Sequence, residues 1–139
     1  MKIHVNRVPE EGLQQHDTCD PSSLDMERPD VRLPEPFDVA AQIALADQEL
    51  IVNADIRCPL QMTCGRCLDE FRSTVRVSAV FSYHVQPTDI VDITNDVRQE
   101  IILAYPMIPL CRPACKGLCR ECGHNLNAGA CVHQQVQQE

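Results

Sequence analysis

Between Cys111 and His133 the chain reads CRPACKGLCRECGHNLNAGACVH, five cysteines and two histidines within 23 residues. No other stretch constrains the fold as strongly. A segment this short cannot bury a core of its own, whereas a tetrahedral ion bound by thiolate and imidazole can organise it. Cys119 and Cys122 have the spacing that lets two thiolates reach one ion, and Gly123 directly after them supplies the permissive backbone of a knuckle. Six candidate ligands, Cys111, Cys115, Cys119, Cys122, Cys131 and His133, compete for four places around a single zinc. Cys119 and Cys122 are the firmest pair. The downstream partners Cys131 and His133 are preferred to Cys111 and Cys115, because eight residues separate Cys122 from Cys131 and leave room for a loop. His124 is an alternative to His133 but is crowded by Cys122. Lys116 and Arg120 would offset the charge of a multi-thiolate site.

The Cys-x-x-Cys spacing recurs at Cys64 and Cys67, in TCGRCLDEF. Three readings stand for this pair: packed thiols, two ligands that complete the zinc site with C-terminal cysteines, or a redox pair assisted by Arg66. The strand-to-helix context of a thioredoxin-like motif is missing. Cys58 falls at an inward-facing strand position, and Cys19 has no evident partner. Nine cysteines, an odd number, suit metal ligation in a reducing compartment better than a complete disulfide framework. The N-terminus is too polar for a signal peptide, and no run of about 18 apolar residues marks a membrane span. A cytoplasmic protein is expected.

Around these cysteines the 139 residues show two kinds of periodicity. Val39, Ala41, Ile43 and Leu45 alternate with less apolar neighbours, and so do Val52, Ala54, Ile56, Cys58 and Leu60 after Asp47-Gln48-Glu49. This predicts two antiparallel strands joined by a turn. Pro59 implies an edge position or a bulge. Thr74 to Tyr83 alternate strictly and predict a strand returning along the second. From Asp92 the period changes: Ile93, Val97, Ile101 and Ala104 share a helical face, Thr94 or Asp92 can cap it, and Pro106 ends it. The expected fold is α+β, a short antiparallel β-sheet with one packed helix and a C-terminal zinc knuckle. Residues 1–36, acidic and interrupted by Pro9, Pro21, Pro29, Pro34 and Pro36, are expected to form an extended arm. Residues 37–139 are expected to form a single domain that includes the knuckle at 111–133.

The net charge of -8 disfavours general phosphate binding, but it is unevenly placed. Residues 1–52 carry four basic and eleven acidic groups, whereas residues 53–82 and 111–139 are each slightly basic. No Gly-rich phosphate loop, nucleophile elbow or His-Glu-x-x-His pair occurs, so no catalytic activity is expected.

Taken in order, the two alternating runs, CGRCLDEF, the helix NDVRQEIILAYPMIPLC, CKGLCRECGHNLN and the late Cys131 resemble the YceD family of large ribosomal RNA subunit accumulation proteins. The resemblance runs from about Phe37 to His133. It departs at Cys131-Val132-His133, where many relatives end with Cys-x-Cys, and at Arg120, where they have Pro. It implies a role in large-subunit biogenesis, with a large-subunit precursor, its RNA or one of its proteins, as partner. Arg57, Arg66, Arg72, Arg76, Arg112, Lys116 and Arg120 are the candidate RNA-contacting face beside the knuckle. A thiol redox protein using Cys64 and Cys67 and a zinc-bearing protein-interaction module are the competing functions.

Overall fold

The structure is a computed structural model that describes residues 1–129 and Cys131. Its frame is an antiparallel sheet of β2 (Leu13–Cys19), β4 (Phe37–Ala46), β5 (Glu49–Thr63) and β6 (Glu70–His84), laid side by side in that order. A two-strand ribbon of β1 (Lys2–His4) and β7 (Ile90–Asp92) leads into the helix α1 (Thr94–Leu103). β3 (Val31–Arg32) pairs with Met62 and Gln61 of β5.

Alternation explains why these runs are strands. Successive side chains point to opposite faces, so every second residue of β4 and β5 can be buried. Phe37, Val39, Ala41 and Ile43 are buried from β4; from β5, the same is true of Leu50 and each second residue through Met62. α1 lies against this face through Val97 and Ile101, preceded by buried Ile93. Ala104, expected on the same face, is exposed at the helix end. Tyr105 takes the inner place, its Oη donating to the Met26 carbonyl at 3.0 Å. The helix start is capped as anticipated, with the Asp92 carboxylate accepting from the Thr94 amide at 3.0 Å.

Two expectations require correction. The sheet is not short, because β5 and β6 are 15 residues each and pair from Glu49–His84 to Thr63–Glu70. Residues 1–36 are not an extended arm. β2 pairs with β4 over its whole length, and Met1, Ile3, Val5, Met26, Val31 and Leu33 are buried in the common core. The prolines sit between these short elements, and of the acidic residues Glu10, Glu11, Asp20, Asp25, Glu27 and Glu35 are exposed while Asp17 and Asp30 are half-buried. Arg98 of α1 donates to the Leu24 and Asp25 carbonyls and straps the N-terminal segment to the helix.

Pro59 has a physical place in this arrangement. β5 is a central strand, yet β4 pairs with it only as far as Arg57 and β3 begins at Gln61. Pro59 falls in the gap between the two partners, so its missing N–H is tolerated as it would be on an edge.

Candidate metal centre

The far end of the β5–β6 hairpin positions the first cysteine pair. Between Thr63 and Glu70 the chain turns through Cys64-Gly65-Arg66-Cys67. The Cys64 amide donates to the Asp69 carbonyl at 2.8 Å, and the Leu68 amide donates to the Cys64 carbonyl at 3.0 Å. Leu68 closes this turn at φ 64°, a left-handed conformation that costs a leucine about 1–2 kcal/mol. The 104–118 segment leaves α1 and crosses this turn. The Gly65 amide donates to the Pro109 carbonyl at 2.7 Å, and Arg66 donates to the Cys115 carbonyl at 3.0 Å.

These contacts bring Cys64, Cys67, Cys111 and Cys115 together, with all four sulfurs within 4.8 Å of one another. Cys64 Sγ lies 3.6 Å from Cys115 Sγ, and Cys67 Sγ lies 3.7 Å from Cys111 Sγ. These are not disulfides, which require about 2.05 Å. They match the edge of a tetrahedron with metal–sulfur bonds of ~2.3 Å, for which the sulfurs stand about 3.8 Å apart. Three of the four cysteines are buried, with Cys64 fully inaccessible. The donor set therefore fits a closed thiolate site, and thiolate ligands of this softness suit zinc.

Cys119, Cys122 and Cys131 form a separate group, again within 4.8 Å of one another. Cys119 is buried, Cys131 is half-buried and Cys122 is exposed. The expectation of six candidates around one ion is thereby corrected: the described thiols sort into two groups. Cys111 and Cys115 join Cys64 and Cys67 rather than compete for places beside Cys119 and Cys122. His133 lies outside the described residues. His124 turns its Nε2 to the Gly129 carbonyl at 3.1 Å.

Local electrostatics favours thiolate at defined positions. Burial opposes ionisation of Cys64, but the backbone N–H groups of Cys67, Cys111 and Arg66 outweigh it and lower the thiol to about 6. Cys119 is also lowered to about 6, by the N–H groups of Cys122 and Glu121. At Cys115 the Asn127 side chain, donating to Sγ at 3.2 Å, is the largest cause of a lowered value. At Cys67 the Asp69 N–H favours thiolate, yet burial and the neighbouring thiols dominate and raise it to about 12. Burial alone pushes Cys58 up to about 12, consistent with the inert inward-facing thiol anticipated from the strand pattern.

Sequence reasoning passed over Asn125 and Asn127. Asn127 Oδ1 accepts from the Lys116 amide at 2.9 Å while its Nδ2 holds Cys115, and Asn125 Nδ2 donates to Asp69 at 3.0 Å. The two asparagines fasten the second cysteine group to the first. Their signal was the GHNLN that follows Cys122.

The candidate basic residues fall into two sets. Arg57 and Arg76 are directly paired across β5 and β6 on the exposed face of the sheet, beside Asp38 and Asp55. Arg72, four residues away along β6, lies 3.5 Å from Glu35. Arg66, Arg112, Lys116 and Arg120 instead belong to the cysteine-bearing loops, and all four are exposed. From Arg57 to the end of β5 is roughly 20 Å at 3.3 Å per residue, so the seven do not make one compact patch.

Residues 81–139 match the family model described as "Large ribosomal RNA subunit accumulation protein YceD". This segment is similar to the YceD family. It contains α1, two cysteines of the first group and all of the second; Cys64 and Cys67 precede it. Proteins of Mycobacterium bovis and Mycobacterium tuberculosis, each described as uncharacterized, are 29% identical over 136 residues, covering 86% of this chain and 66% of theirs. A Mycobacterium leprae protein, also described as uncharacterized, is 29% identical over 107 residues, covering 66% of this chain and 49% of its own. This chain thus spans about two thirds of the longer match's relatives or less. No solved structure matches. Among the described residues, no helix is long and apolar enough to cross a membrane.

Proposed function

We propose that this protein is a noncatalytic cytoplasmic factor of large ribosomal subunit biogenesis that supports accumulation of the large-subunit RNA. The observation that carries this reading is the YceD-family match over residues 81–139. The four-thiol group supports a structural zinc, because a closed and buried donor set leaves no coordination position for a substrate. Zinc with four thiolates carries a net charge of -2, and Arg66, Arg112 and Lys116 on the same loops offset it. These residues together with Arg120 are the first candidates for phosphate contact. Arg57, Arg72 and Arg76 form a second set on the sheet. The partner is a large-subunit precursor, recognised through its RNA or one of its basic proteins.

The redox alternative pairs Cys64 with Cys67. The position of Cys115 and Cys111 beside those sulfurs favours ligation instead, since each member of the pair already faces a thiol from the other segment. Sedimentation of the tagged protein through sucrose gradients at low and raised salt tests the proposal. The expected result is comigration with immature large-subunit RNA that weakens as salt rises, because phosphate contacts release counterions. A protein that stays at the top of both gradients would reject the assembly role.

A further inference from the structure

β6 is an edge strand of 15 residues, and among the described residues only β5 pairs with it. At one end of that pairing the Cys64 amide donates to the Asp69 carbonyl, and at the other the Val85 amide donates to the Gln48 carbonyl, each at 2.8 Å. Antiparallel bonding alternates, so the odd-numbered residues of β6 bond to β5, and every even-numbered residue from Glu70 to His84 directs its N–H and C=O away from it. Long open edges are ordinarily blunted by Lys, Pro or a bulge. β6 reads EFRSTVRVSAVFSYH, without Lys or Pro, and its register with β5 is unbroken from Glu70 to His84. On the core face Phe71, Val75, Val77, Phe81 and Tyr83 pack against the core yet are only partly buried. On the outer face Val80 is 68% exposed, and Arg76 makes no ion pair among the described residues.

We propose that this edge pairs antiparallel with the same edge of a second copy, about a two-fold axis at Val77, so that one sheet runs through both chains. Length and charge set the register. With Val77 opposite the partner's Val77, all 15 residues pair, and the outward-directed backbone groups of the two strands meet, because even positions face even positions. Glu70 then stands opposite the partner's His84, Phe71 opposite the partner's Tyr83, and Arg72 and Arg76 opposite the partner's Ser82 and Ser78. Cross-strand pairs of opposite charge or of two aromatics stabilise a sheet, and like charges directly opposite destabilise it. A slip of two residues one way sets Arg76 against the partner's Arg76, and a slip the other way leaves Glu70 without the partner's His84. A slip of one residue turns the outward backbone groups away from each other. Beyond the partner's Ser78, on the adjoining strand of that copy, comes the partner's Asp55; within one chain this carboxylate accepts from Ser78 Oγ at 2.7 Å. Two strand spacings put it about 10 Å from Arg76, Cα to Cα, within the reach of an arginine. The dimer thus supplies the counter-charge that Arg76 lacks and a neighbouring strand for the half-covered apolar row. This inference does not depend on the ribosomal reading.

The test is the mass of the full chain in solution, kept reduced to exclude intermolecular disulfides, by sedimentation equilibrium from the micromolar to the millimolar range. A reversible species of twice 15.6 kDa is expected. Val80→Pro removes an outward N–H that β5 does not use, so this variant should keep its circular dichroism and lose the dimer. Ser82 stands beside Ile51 in its own sheet and opposite the partner's Arg72, a contact that the two-fold axis makes twice. Ser82→Glu should therefore tighten the dimer and Ser82→Arg weaken it, each roughly 2- to 30-fold in Kd. A monomer at every concentration would overturn the proposal, and so would a Val80→Pro dimer as tight as wild type. Responses of the same sign in Ser82→Glu and Ser82→Arg would overturn the register. Were Val80→Pro to unfold, the two Ser82 variants would still decide the question.

Discussion

Leu68 is a leucine in a conformation that favours glycine, with 61% of its surface exposed. Its side chain adds little packing to balance the backbone strain, and the matching position after Cys119 and Cys122 is Gly123. Leu68→Gly should therefore stabilise the folded chain by up to about 1 kcal/mol, visible as a rise in thermal midpoint. A fall would mean that the leucine makes contacts that outweigh the strain. Asn127 acts on the four-thiol group through Cys115, and partners of this kind orient ligands. Asn127→Ala should weaken metal retention about 10–100-fold in chelator competition, with all four thiols still present.

At the scale of elements, the turn after β5 and the segment following α1 depend on close backbone approach. Gly117 has φ 80°, and a Cβ there would stand 3.2 Å from the Arg66 carbonyl oxygen. Gly117→Ala is thus expected to cost about 1–2 kcal/mol from the left-handed backbone, with the added contact pushing Cys115 away from Cys64. Chemical denaturation and metal content should fall together. Were stability lost with full metal retention, the glycine would matter only to its own turn. The strand and helix patterns were readable because each depends on residues two, three or four positions apart. The pairing of β2 was missed because Leu13–Cys19 is polar at most positions, LQQHDTC, and only its half-buried alternation marks it. An outer strand beside β4 needs no more than that.

For the molecule as a whole, the thiols make stability depend on pH once metal is removed. Cys64 and Cys119 are lowered from the ordinary 9.0 to about 6 in the fold, so the native state binds fewer protons than the unfolded chain between those values. That contribution is present above pH 9 and is lost as pH falls towards 6. Cys67 is raised to about 12 and acts in the opposite sense, its contribution present below pH 9 and lost on the way to 12. Chelator-treated protein should therefore gain thermal stability from pH 6 to about 9 and lose it above. A flat profile would show that the turns loosen without metal.

The sequence by itself determined the period-two strands, the capped helix, the inward Cys58 and the turn geometry at Cys119 to Gly123. All of these are local, set by side-chain alternation, a capping carboxylate and a glycine. Only the tertiary structure decided which cysteines share a site. Cys64 and Cys115 are 51 positions apart, and Cys67 and Cys111 are 44. They meet because a hairpin of two 15-residue strands carries one turn to the place where the chain leaving α1 crosses it. Residues 1–36 took their place for the same kind of reason: their few apolar side chains find a core built by strands and a helix far along the chain, and no local pattern records that encounter.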